Sequence, residues 1–92
     1  MEQDLVLRIG RFESVLEDIV TEFPADADFW PEFSAEADAA ESACRGGAHL
    51  FHDAMVYMLY RAGKLPNLDA RVLERVRKVY ARYDAARLAK AA

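Results

Sequence analysis

Residues 31–62 read PEFSAEADAAESACRGGAHLFHDAMVYMLYRA. Phe33, Ala37, Ala40, Cys44, Gly47, Phe51, Ala54 and Met58 recur in it with alternating spacings of four and three. That rhythm is the apolar seam of an amphipathic helix. Gly46-Gly47 interrupts the seam at its middle, and each glycine costs about 1 kcal/mol relative to alanine inside a helix. Two structures satisfy the pattern. One is a single helix of about 46 Å, at 1.5 Å per residue, kinked at the glycines. The other is two helices. The seam keeps its phase across the pair, which favours the continuous helix.

The flanking segments obey the same rule. Leu5, Ile9, Phe12, Leu16, Ile19 and Phe23 form a 4-3-4-3 seam that Pro24 ends, because a residue before proline resists helical geometry. Residues 24–30 (PADADFW) then read as a loop, with Pro31 at the first position of the next helix. Gly63 suits the left-handed position after a helix end, and Lys64-Leu65-Pro66 connects onward. Asn67 or Asp69 supplies an N-cap for a last helix carrying Val72, Val76, Val79, Tyr83 and Ala86, widened by Leu73 and Tyr80. No stretch alternates with period two long enough to be a strand. The expected fold is therefore all-α, one domain over 1–92. It is an antiparallel bundle of three long helices at about 3–22, 31–62 and 68–89, or four if the chain breaks at Gly46-Gly47.

Charge divides the chain in two. Residues 1–44 hold 12 acids and two bases, and residues 45–92 hold four acids and ten bases, so a formal net charge of −4 conceals a strongly dipolar molecule. Between Arg11 and Arg45 there is no basic residue but ten carboxylates: Glu13, Glu17, Asp18, Glu22, Asp26, Asp28, Glu32, Glu36, Asp38 and Glu41. Arg75, Arg82 and Arg87 flank the seam of the last helix and are placed to offset part of this acidic wall. What they leave uncompensated is a surface for a basic protein partner. Direct nucleic-acid binding is disfavoured by a pI near 5.1 and by the absence of a helix-turn-helix pattern.

With 53% hydrophobic and 30% charged residues, the composition is globular. The most apolar run, Ala54 to Tyr60, is seven residues, against about 20 for a membrane crossing. The acidic start Met1-Glu2-Gln3-Asp4 lacks the basic opening of a signal peptide, so a cytoplasmic protein is expected, bacterial or phage from its Ala- and Arg-rich usage. The single cysteine, Cys44, excludes an internal disulfide and a multi-cysteine metal site, and lies on the seam as a buried thiol.

No catalytic signature, cofactor motif or metal-ligand spacing is present, so no enzyme activity is expected. The reading is a small acidic interaction module of inhibitor or immunity type. Glu17, Asp18, Asp26, Asp28, Glu32, Glu36 and Asp38 would face the partner's cations, and Phe29, Trp30 and Phe33 would serve as aromatic anchors. A structural or adaptor subunit has the same surface needs. Met55, Val56, Tyr57, Leu59 and Tyr60 make a helix apolar on every side, which points to a homodimer through that segment. The alternative from a different class is phosphotransfer. His52-Asp53-Ala54-Met55 resembles the histidine–acid start of the phosphoacceptor helix in histidine-kinase-type dimerisation bundles, which would make His52 the phosphoacceptor.

Overall fold

The glycine pair breaks the chain. The structure, a computed structural model that describes residues 1–91, contains α1 (Gln3–Glu22), α2 (Asp26–Ser42), α3 (Ala48–Arg61) and α4 (Ala70–Ala91). Gly46 and Gly47 adopt φ of 97° and 70°, left-handed values that L-residues with a Cβ rarely take. At Gly47 a Cβ would lie 3.1 Å from Leu5 Cδ2, so this glycine also lets the start of α1 close over the turn. The unbroken seam is compatible with the fold-back because phase is indifferent to direction. Phe33 and Ala37 on α2, and Phe51, Ala54 and Met58 on α3, are all buried as their spacing implies. Length decides the matter. α1 has 20 residues, about 30 Å, and a 46 Å seam laid on it would leave about a third of its apolar side in water.

The second departure from expectation is the start of α2. It begins at Asp26, five residues before Pro31, which therefore lies inside the helix rather than at its first position. Proline there withholds one helical hydrogen bond, from the Ala27 carbonyl, which is exposed to solvent. Burial offsets that loss. The extra turn carries Phe29 into the core at 0% exposure and lays Trp30 half-buried beside it. Asp26 and Asp28 sit in the first turn, where carboxylates interact favourably with the helix dipole.

The remaining punctuation follows the sequence. Asp69 Oδ1 accepts hydrogen bonds from the backbone N–H groups of Arg71 (2.9 Å) and Val72 (3.3 Å), capping α4. Gly63 (φ 78°) ends α3 in a paired closure, Gly63 N–H to Tyr60 C=O and Lys64 N–H to Leu59 C=O, both 3.0 Å.

α1 and α3 are the central pair and each packs against the other three helices, whereas α2 and α4 do not touch. Phe12 of α1 lies at the hub, edge-on to Phe33 of α2 (6.0 Å) and to Phe51 of α3 (5.5 Å). Met55 and Leu59 are 4% and 5% exposed, Val56 and Tyr57 are half-buried, and only Tyr60 faces solvent. α1, α2 and α4 all pack on α3, so Met55 and Leu59 are covered within one chain while Tyr60 is left exposed.

Candidate functional site

On α2, Asp28, Glu32 and Glu36 follow one another at intervals of four and form a single exposed ridge. Asp38 projects from the same outward side, and Glu17, Asp18 and Glu22 continue the negative surface over the second half of α1. Of the ten carboxylates between Arg11 and Arg45, two meet a basic side chain among the described residues. Asp26 lies 3.0 Å from Lys64 Nζ, and Glu41 Oε1 lies 3.1 Å from His52 Nδ1. A third, Glu13, accepts hydrogen bonds from the hydroxyls of Tyr80 and Tyr83. The other seven have no ion pair among the described residues.

Two of the three arginines expected to neutralise this wall are engaged elsewhere. Arg75 reaches Asp53 of α3 at 3.4 Å, and Arg87 holds Asp84 of its own helix at 2.5 Å. Arg82 makes no ion pair among the described residues, and Arg77 and Lys78 share Glu74. The topology accounts for this. α2 makes no contact with α4, so the acidic ridge of α2 is held away from the basic residues of α4. Glu17 shares a groove with Arg61 and Arg87, yet no ion pair joins them. Arg61 lies over the rings of Tyr57 and Tyr80, 5.9 and 5.5 Å from their centroids.

The aromatic anchors are corrected by the fold. Phe29 is fully buried, and Phe33 is 7% exposed and stacks on it at 5.7 Å. Both belong to the core and neither is free to enter a partner. Trp30, half-buried and edge-on to both rings, is the one aromatic of the three that still reaches the surface. Lys64 closes this corner. Its ammonium sits 4.5 Å from the Phe29 ring centroid and donates to the Pro24 carbonyl at 3.3 Å as well as to Asp26.

His52 is exposed on α3, and the Glu41 contact orients its ring with Nε2 outward. The surroundings, Glu41 beside it and Asp53 next in sequence, are anionic and oppose an incoming phosphoryl group. Cys44 is half-buried with Sγ 3.5 Å from the Ala40 carbonyl, and burial pushes its thiol pKa up, away from a reactive thiolate. No group of three or more metal-ligating side chains occurs among the described residues, nor is any described helix long and apolar enough to cross a membrane.

The Glu13–Tyr80–Tyr83 cluster links α1 to α4, and the sequence reading did not find it. Its signal was present: a carboxylate flanking one seam and two tyrosines three apart on another. Burial, then the hydrogen bond to Glu13, holds the Tyr80 hydroxyl well above its ordinary pKa of 10, and burial does the same to Tyr83. The ionised phenol is thus disfavoured in the fold, so the stability linked to these groups is intact below about pH 10 and declines as pH rises beyond it. Urea midpoints measured from about pH 9 to 12 should fall more steeply for the wild type than for Tyr80→Phe/Tyr83→Phe. Parallel slopes would show that the cluster carries no such linkage.

Comparison with protein-family models, with curated proteins and with solved structures returns no match. The functional reading rests on the geometry alone.

Proposed function

We propose that this chain is a protein–protein interaction module of inhibitor type, whose acidic flank covers a basic surface of a partner protein. The observation that carries the reading is the segregation of charge. Seven exposed carboxylates on α1 and α2 have no ion pair among the described residues, and Arg75 and Arg87 of α4, a helix that does not contact α2, are paired with Asp53 and Asp84 instead. Such a surface raises local potential, speeds encounter with a cationic patch and excludes acidic competitors. Blocking is steric and electrostatic. The ridge of Asp28, Glu32 and Glu36, with Asp38 beside it, faces the partner's cations, and Trp30 supplies the apolar edge.

The test is charge reversal. The variant Glu32→Lys/Glu36→Lys/Asp38→Lys should lose at least about tenfold in affinity for the basic protein that the wild type retains from its native host. Most of that loss should appear in the on-rate at low salt. Fold stability should hold within a few tenths of a kcal/mol, since the reversal makes the 28/32 pair attractive and leaves the 32/36 pair like-charged. Unchanged capture would mean that the carboxylates only solvate the surface. The exposure of His52 on α3 leaves phosphoacceptance as a second reading, against the anionic neighbours Glu41 and Asp53. There, His52→Ala would abolish labelling by a small phosphoryl donor and leave partner capture intact.

A further inference from the structure

A groove of about 430 Å³ runs between the first half of α1 and the last turns of α4. Its floor is Val6, Gly10 and Ser14, one face of α1 at intervals of four, against the ring of Tyr83. Gly10 is where α4 comes closest, since a Cβ there would lie 3.2 Å from the Tyr83 hydroxyl. The lip carries Leu7, 44% exposed and one of the few large apolar side chains left in solvent. Around it stand three cations, Arg11, Arg87 and Lys90, and no carboxylate of the described residues lines the groove. Arg87 is shared with Asp84, but Arg11 and Lys90 have no ion pair among the described residues. In a chain of net charge −4, an apolar groove with a wholly cationic rim calls for an occupant of matching shape and opposite sign.

The same molecule carries that occupant on its other flank. The outward side of α2 presents Ala27, Pro31 and Ala35 at intervals of four, all exposed and all short. Asp28 and Glu32 border this line on one side and Asp38 on the other. Short side chains let a helix approach a groove floor closely, and the bordering carboxylates then reach its rim. The two surfaces cannot meet within one chain, because α2 makes no contact with α4.

We infer that the α1–α4 groove receives the exposed ridge of α2 from a second copy of this chain. This rests on the reading of α2 as an interaction surface and names a partner for it. The contact joins two different patches, so each copy offers both a ridge and a groove. It is separate from the Met55–Tyr60 segment, which is occupied by the monomer's own core.

Sedimentation velocity with light scattering on the purified full chain tests it. Mass should rise with concentration at low salt, with an apparent Kd that weakens roughly tenfold between ~0.02 and ~0.5 M salt. Arg11→Glu/Lys90→Glu reverses the groove, and Glu32→Lys/Asp38→Lys reverses the ridge. Each variant alone should stay monomeric while giving the wild-type circular dichroism spectrum. Mixing the two should restore assembly, because every ridge then meets a groove of opposite charge. Assembly by either variant alone, or a mixture that stays monomeric, overturns the contact. A wild type that is monomeric yet still captures a basic protein through Glu32, Glu36 and Asp38 overturns the self-contact and leaves the inhibitor reading standing. Loss of both overturns the interaction surface itself.

Discussion

Phe12→Ala should destabilise the fold by about 3–5 kcal/mol, the range for removing a buried aromatic ring from a core. Phe12 is 4% exposed and meets Phe33 and Phe51 edge-on, so one truncation loosens α1 from α2 and from α3 together. Its neighbours are large and rigid. Phe51 is 1% exposed, with little freedom to collapse into the gap, which places the loss toward the upper end of the range. For a domain of this size, each kcal/mol lowers Tm by roughly 4–8 °C, so the variant should melt at least about 12 °C below the wild type. Phe12→Leu keeps most of the volume and should lose well under half as much. Urea unfolding followed by circular dichroism checks both, with an m-value unchanged in each if only packing is affected. A loss of under about 1 kcal/mol for Phe12→Ala would show that the three helices are held together elsewhere.

The residues of that hub were legible from spacing alone. Leu5, Ile9, Phe12, Leu16 and Ile19 are buried, as the first seam requires, and so are Val76, Val79 and Tyr83 of the last. Periodicity reports which side of a helix is apolar, and burial follows directly. It does not report where the chain turns when a turn leaves the phase intact, which is why the middle seam read as one helix. Pro31 misled for a related reason. A proline usually marks a helix start, but the burial of Phe29 outweighed one missing hydrogen bond and carried the helix back to Asp26. The same extra turn removed Phe29 from the candidate site, and Phe33 left it as a buried residue of the seam. Of the ten carboxylates in the acidic stretch, eight are exposed, while Glu13 and Glu41 are half-buried. The lack of compensation in this stretch was not readable, because that depends on α2 and α4 making no contact.

The break at Gly46-Gly47 should be convertible into the long helix that the seam also permits. Gly46→Ala/Gly47→Ala removes the residues that hold φ of 97° and 70°, and a left-handed conformation costs alanine about 1–2 kcal/mol at each site. At position 47 the new Cβ also presses on Leu5 at 3.1 Å, whereas at position 46 nothing lies within 4 Å. Both strains vanish if residues 43–47 become helical, and each glycine-to-alanine change then favours the helix by about 1 kcal/mol. The seam would run in phase from Phe33 to Met58, but α3 could no longer fold back on its own α1 and α2. Its partners would have to come from another molecule, with α1 and α2 of one chain packing on α3 and α4 of the next. The result is a domain-swapped dimer that reuses the monomer's contacts. The double variant should therefore gain helical signal in circular dichroism and elute at twice the monomer mass, and the dimer should persist at high salt. Salt separates it from the charge-driven assembly of the wild type. Gly46→Ala alone should stay monomeric and lose about 1–2 kcal/mol, because the intact Gly47 still makes the turn. If the double variant is monomeric and merely less stable by the sum of the two strains, the fold-back is enforced by the packing of α3 on α1 and α2, and the glycines only permit it.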